Sequence, residues 1–322
     1  MPPRRSIQNK KTVVVALGGN AMLQPGQAGD YEAQFANVMA ACEQIHKLTE
    51  NGWNVIMTSG NGPQVGAIKL QQSSAKAVAP EMPLHVCGSM SQGFIGYMMQ
   101  MAMGNVQRAA GLEPKVVCTL TQSLVSTEDP AFANPTKPVG AFYSEAEAKE
   151  MIAAGKTMKE DAGRGYRVVV PSPRPQEIVE RPAIMSLVGQ GFTVICTNGG
   201  GIPVVKDAAG NLVGCDAVID KDLATSLLAQ QVKADALMIL TDVTNACVNY
   251  RKPNQTQLGV TPLAQAKVYE AEGQFAAGSM GPKVRACMEF CENTGRTAII
   301  TSLNKAVDAI NGLCGTHIVA DQ

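Results

Sequence analysis

Residues 12–21 read TVVVALGGNA, an apolar run from Thr12 to Leu17 that ends on Gly18, Gly19 and Asn20. The run reads as a β-strand, and the glycines behind it as a tight loop at the strand's carboxyl end. Outward from it the same unit recurs. Asp30 to Asn51 reads as a helix with an acidic start and an Asn51-Gly52 stop. Further strands are expected at Val55–Thr58, Lys115–Leu120, Arg167–Val170, Phe192–Thr197, Ala236–Thr241 and Ala298–Thr301. Helices are expected near 64–72, 91–110, 182–188, 221–232, 262–271, 282–293 and 304–311. Short apolar strands alternating with helices predict an α/β fold with a mostly parallel sheet covered on both faces. In such sheets ligands bind outside the carboxyl ends of the strands.

One stretch breaks the rhythm. Residues 121–164 hold three prolines and a short charged helix, and they are too long for an ordinary α/β connection. Phe132, Phe142 and Tyr143 give this stretch something to bury, so it reads as a small subdomain or lid.

Composition narrows the function classes. The 322 residues carry 27 Lys+Arg against 27 Asp+Glu, so there is no global basic field for nucleic acid. No apolar run approaches the ~20 residues that span a bilayer. Residues 1–10 are basic and proline-containing, and the expectation for them is a disordered tail rather than a targeting segment. Nine cysteines at wide spacing, with no CxxC pair, argue against a disulfide framework and for the cytoplasm. Cys287 and Cys291 share a helix face, but no nearby His or Cys completes a metal set, so both are expected in the core.

Four glycine loops stand out: LGGNA (17–21), SGNGPQ (59–64), TNGGGIP (197–203) and GSMGPK (278–283). Glycine lets backbone N–H groups turn towards a ligand, and a helix N-terminus adds the positive end of its dipole, so together they suit anions. Other anion-binding motifs fail on inspection. Ala154-Gly155-Lys156-Thr157 imitates the end of a P-loop, but Glu150 stands where glycine is required. Gly60, Gly62 and Gly66 miss the dinucleotide spacing by one residue. His46, His85 and His317 are scattered, with no serine elbow and no HExxH.

What remains is lysine in unusual settings. Lys137 lies in PTKP, Lys221 and Asp222 lie in VIDKD, and Lys283 closes GSMGPK. Phosphoryl transfer needs reactants in line and positive charge around the moving group. Glycine loops, lysines and one organising carboxylate meet that need without a His, Cys or Ser nucleophile.

The set VVVALGGNA, TSGNGPQVG, GSMSQGFIGY, NPTKPVG, GRGYRVVVPSPRP, GGGIPV, AVIDKDLA, MILTDV and AAGSMGPKV resembles the carbamate kinases of the amino-acid kinase superfamily, from about Lys11 to His317. The resemblance implies a three-layer α/β/α sandwich around a mainly parallel sheet, a homodimer, and a protruding subdomain at about 121–164. It implies one domain over 11–322, with a carbamate and phosphoryl lobe at 11–220 and a nucleotide lobe at 221–322. The implied reaction moves the γ-phosphoryl of ATP to carbamate, giving ADP and carbamoyl phosphate, and in arginine catabolism it runs towards ATP. By the same resemblance Gly18, Gly19, Asn20, Gly60, Asn61 and Gly62 enclose the carbamate and the phosphoryl group. Lys137, Lys221 and Lys283 neutralise the phosphates and Asp222 holds the lysines. Thr241, Asp242, Val243, Tyr250, Met280 and Gly281 line the nucleotide, with Mg²⁺ carried on its phosphates rather than by protein ligands.

Ala16-Leu17 precedes the first glycines where many superfamily members have a lysine, and Lys137 is the expected substitute. A sister kinase acting on a larger carboxylate and a catalytically silent nucleotide sensor are the alternatives; the intact lysines argue against the second. From position alone, Cys247 lies five residues after Asp242, and it reads either as a buried structural thiol or as a reactive one beside the nucleotide.

Overall fold

The computed structural model describes residues 10–321 except 25, 162 and 277, so the expected N-terminal tail lies outside the described residues apart from Lys10. TVVVAL forms β1 (Thr12–Leu17), followed by α1 (Tyr31–Glu50), β2 (Asn54–Ser59), α2 (Gly62–Ala75), α3 (Leu84–Ala109) and β3 (Val116–Cys118). Next come β4 (Gln122–Val125), β5 (Lys137–Tyr143), α4 (Glu145–Ala153), β6 (Met158–Glu160), β7 (Tyr166–Val170), β8 (Pro175–Ile178) and α5 (Arg181–Gly189). Then follow β9 (Thr193–Ile195), β10 (Ile202–Lys206), β11 (Leu212–Gly214), α6 (Lys221–Gln231) and β12 (Ala236–Thr241). The chain closes with β13 (Cys247–Val248), β14 (Thr256–Gln257), β15 (Val260–Pro262), α7 (Leu263–Ala271), α8 (Met280–Thr294), β16 (Ala298–Ser302), α9 (Ala306–Ile310) and β17 (Thr316–Val319).

The central sheet has eight strands in the order β15-β17-β16-β12-β1-β2-β9-β3. Every neighbour pair is parallel except β16 with β17. The apolar run of β1 follows from this position, because both faces of the strand are covered. Val13, Val15 and Leu17 pack with α1, α3 and α9, while Val14 and Ala16 pack with α5, α6, α7 and α8. The same alternation holds in β12, where Ala236, Met238 and Leu240 face one layer and Leu237 and Ile239 the other. Each fully buried Val, Leu or Ile contributes roughly 1.5–3 kcal/mol. The result is the expected α/β/α sandwich.

Two local readings differ from expectation. The helix expected from residue 91 begins at Leu84, after Pro83 in extended conformation. Gly88 and Ser89 weaken the helical signal, but Leu84 and Cys87 are buried against Val65, and that packing carries the helix through them. The strand expected at Arg167–Val170 exists as β7, yet it belongs to a separate antiparallel sheet, β5-β7-β6, and not to the central one. A further four-stranded sheet, β11-β10-β4-β8, takes in the residues just after Thr121.

The β5-β7-β6 sheet touches the body of the molecule. Lys137, first in β5, pairs with Val170, last in β7, so this lysine sits at the sheet's root. Further out, a Cβ added at Gly66 of α2 would stand 3.8 Å from the backbone of Gly140, so helix and sheet meet closely there. Cys287 and Cys291 both bury in the core, as their helix face predicts.

Candidate active site

Strand order reverses around β1: the chain places β2 on one side and β12 on the other. Such a switch point opens a crevice at the carboxyl strand ends. Gly18 leaves β1 there and donates its N–H to Leu240 O at 3.1 Å. A Cβ at Gly18 would meet that oxygen at 3.0 Å and Thr241 Cα at 3.9 Å, so the first glycine loop and the end of β12 lie side by side. Gly19 and Asn20 form a short 3₁₀ turn with Ala21. Gly60 follows β2, and Gly62 opens α2 with Pro63 behind it.

Asn61 is locked in place. Its Nδ2 donates to Ser91 Oγ at 2.8 Å, and that hydroxyl donates to Gly88 O at 2.6 Å. Its amide also rests on Gly199, where any Cβ would overlap it. The TNGGG loop therefore uses its glycines for close packing: Gly199, Gly200 and Gly201 have positive φ, and a Cβ at Gly200 would come within 2.6 Å of Ile219 O. Thr197 joins them at φ 54°, a costly conformation for a β-branched residue, held by Thr121 Oγ1 accepting from its N–H at 3.0 Å.

The charged centre is built on two helix starts. Asp220 caps α6, accepting from the N–H groups of Asp222 and Leu223 at 3.0 and 3.3 Å. Lys221 and Asp222 follow in the first turn of α6, and Lys283 lies in the first turn of α8. Asp222 bridges both lysines: Lys221 Nζ donates to Oδ1 at 2.5 Å and Lys283 Nζ to Oδ2 at 3.2 Å. The Asp222 side chain is only 5% exposed, against 16% and 15% for its partners. Burial alone pushes its carboxyl pKa up, but the two ammonium groups outweigh burial and hold it below the usual carboxylate range.

Surrounding contacts aim the lysines. The stem of Lys221 crosses Gly60, where a Cβ would stand 3.2 Å from Lys221 Cδ. Thr225 Oγ1 donates to Lys221 O at 2.6 Å and meets Thr58 Oγ1 of β2 at 2.7 Å. Ser226 Oγ ties α6 to α8 through Ala286 O at 2.8 Å. Lys137 reaches the same place from the small sheet, with its Nζ 3.1 Å from Asp220 Oδ2.

The residues expected at the nucleotide lie at the end of β12, on the β13–β14 hairpin and at the start of α8. Thr241 Oγ1 donates to Asp242 Oδ1 at 2.9 Å, with Val243 next in the chain. Gly281 is buried at the start of α8, its N–H on Ala276 O at 2.9 Å, next to Met280. The β13–β14 hairpin joins the segment before α8 where Asn249 N–H meets Gln274 Oε1 at 2.9 Å. Tyr250 stands on that hairpin, 55% exposed, with Arg251 5.3 Å over its ring. Cys247 is half-buried, and Gln255 Nε2 approaches its sulfur at 3.7 Å.

The structure thus brings Lys137, Lys221, Asp222, Lys283 and Gly60 into one cluster, and sets Gly18 against Thr241. Sequence reading missed Asp220, Ser91 and Thr225. Asp220 carried a signal, an aspartate directly before a helix; Ser91 and Thr225 carried none, because their partners are distant in sequence.

A family profile described as amino acid kinase family matches residues 11–302. A carbamate kinase of Giardia intestinalis is 58% identical over 314 residues, covering 97% of this chain and 99% of that one. The chain belongs to the carbamate kinases of the amino acid kinase family. Carbamate kinase structures agree with the fold: that of Giardia lamblia bound to AMP-PNP superposes with a TM-score of 0.93 at 59% identity, covering 97% of this chain and 99% of that one. A second structure of the Giardia lamblia carbamate kinase, thiocarbamoylated by disulfiram on a cysteine, gives 0.91 at 58% identity, covering 97% and 99%. Among the described residues of this carbamate kinase family member, no helix is long and apolar enough to cross a membrane.

Proposed function

We propose that the chain transfers a phosphoryl group between ATP and carbamate, with ADP and carbamoyl phosphate as the other pair. The observation that carries this reading is the buried Asp222 holding Lys221 and Lys283 at two helix N-termini, in a crevice walled by Gly18 and Gly60. In the direction of ATP synthesis, a β-phosphate oxygen of ADP attacks the phosphorus of carbamoyl phosphate. The phosphorus–oxygen bond to the carbamoyl group breaks, and its electron pair leaves with carbamate. No proton moves in this step, which fits a site without a catalytic histidine. Lys221 and Lys283 neutralise the equatorial oxygens, Lys137 adds charge from the small sheet, and Asp222 fixes the first two.

The loops of Gly18, Gly19 and Asn20 and of Gly60, Asn61 and Gly62 take the carbamate end, which is small and anionic. Thr241, Asp242, Val243, Tyr250, Met280 and Gly281 take the nucleotide. This divides the domain into a carbamate and phosphoryl lobe (11–220) and a nucleotide lobe (221–322), with the small sheet as a lid. Mg²⁺, carried by the nucleotide's phosphates, would add positive charge beside the lysines. The proposal includes a homodimer working in the cytoplasm.

The test is a coupled assay of ATP formation from ADP, Mg²⁺ and carbamoyl phosphate, with acetyl phosphate and acetylglutamyl phosphate alongside. Turnover with carbamoyl phosphate supports the reading; turnover only with a larger acyl phosphate overturns it.

A further inference from the structure

We infer that Asp220 is a positioning residue for phosphoryl transfer, a divided clamp that holds Lys137 in the site with one carboxylate oxygen and sets the start of α6 with the other. The inference rests on the proposed function and deepens it.

Lys137 differs from the other two site lysines. It is 38% exposed, comes from a separate sheet, and has no share in Asp222, whose two oxygens are taken by Lys221 and Lys283. A long, partly exposed lysine has many rotamers, and something must select the one that faces the phosphoryl group. Asp220 supplies that selection: Oδ2 accepts from Lys137 Nζ at 3.1 Å. Its other oxygen, Oδ1, accepts from Asp222 N at 3.0 Å and Leu223 N at 3.3 Å, which fixes the turn carrying Lys221 and Asp222. One side chain therefore sets all three lysines in a common frame.

The backbone reinforces this frame. Val218 N–H donates to Pro171 O at 3.0 Å, and Thr136 N–H to Val170 O at 3.2 Å. The segment that enters α6 is thus bonded to the strand that leaves the small sheet, next to Lys137 itself. Charge balance also fits. Three ammonium groups face two carboxylates, so a single net positive charge remains, and Lys137, paired with the more exposed carboxylate, is the group freest to turn to a phosphate. Asp220 is 19% exposed against 5% for Asp222.

The experiment is a double-mutant cycle on the full chain using Asp220→Asn, Lys137→Met and the combination, followed by ATP formation. Asparagine caps a helix as well as aspartate, so α6 keeps its start while Lys137 loses its counter-charge. Asp220→Asn should lower kcat about tenfold, with the KM for ADP changed less than about twofold. In the Lys137→Met background the same change should alter kcat by less than about twofold. Equal losses in both backgrounds, or an unchanged kcat in the single variant, overturn the inference, since a purely structural cap would act whether or not Lys137 is present. If Asp220→Asn melts well below wild type, Asp220→Ser, which keeps a capping oxygen, runs the same cycle. A wild-type chain that makes no ATP refutes the functional reading instead, so the two failures are separable.

Discussion

Replacing Asp222 by asparagine keeps the shape of the side chain and removes its charge. In the native site that charge, 5% exposed, answers two ammonium groups that are themselves 16% and 15% exposed. Asparagine can accept from one lysine through its oxygen, but its NH₂ then faces the other with like polarity. Removing one partner of a buried ion pair costs about 3–5 kcal/mol, because the charge left behind is uncompensated. For a chain of 322 residues each kcal/mol moves the melting temperature by about 1.5 °C, so Asp222→Asn should melt about 4–7 °C below wild type. Two further outcomes separate this account from a generic core defect. Adding Lys283→Met to Asp222→Asn should recover part of the loss, because one orphaned ammonium disappears. ADP should raise the melting temperature of Asp222→Asn more than that of wild type, because its phosphates replace the missing negative charge. Thermal melts of the three proteins with and without ADP measure both. A double variant less stable than Asp222→Asn, together with a nucleotide effect no larger than in wild type, would refute the reasoning.

The remaining predictions are local. The Asp222 carboxyl lies below its ordinary 3.8, so its stabilisation is complete above that value and is lost as pH falls through the lower folded value; the melting difference between wild type and Asp222→Asn should stay level from about pH 8 to 5 and close below about pH 4. Gly60→Ala puts a methyl 3.2 Å from Lys221 Cδ, and because that stem can swing aside the fold should survive while kcat falls about tenfold or more, read by matched melts and ATP formation. Gly200→Ala should instead leave little soluble protein on expression, since φ is +89° and the new Cβ would come within 2.6 Å of Ile219 O. Iodoacetamide should inactivate wild type through Cys247, slowed by ADP, and should spare Cys247→Ala. Burial pushes the thiols of Cys118 and Cys215 up to about 11 and those of Cys42 and Cys196 to about 12, so those four should react slowly, whereas Cys247 is half-buried on the β13–β14 hairpin; equal inactivation of the variant contradicts this.

Legibility in the sequence followed the range of the interaction. TVVVAL and ALMILT showed their strands because a strand buried on both faces must be apolar throughout, and the glycines behind β1 and β2 marked the loops that line the crevice. Lys221, Asp222 and Lys283 stood out by their neighbours, and the structure joins them although 61 positions separate Asp222 from Lys283. Two kinds of feature stayed hidden. The sheet to which Arg167–Val170 belongs depends on pairing with β5 and β6, which residue pattern alone does not encode. The TNGGG loop read as an anion-binding turn, yet Gly199, Gly200 and Gly201 are glycines because Asn61, Ile219 and Ser123 crowd them. Asp220 was partly visible as a helix cap; its hold on Lys137, 83 positions away, was not.

The most direct test of the central claim is ATP formation by purified wild type from ADP, Mg²⁺ and carbamoyl phosphate, compared with Lys221→Ala and Lys283→Ala proteins of confirmed fold. Wild type should form ATP rapidly, and each variant should lose at least about a hundredfold in kcat. Folded wild type that forms no ATP, or variants that turn over at the wild-type rate, would contradict it.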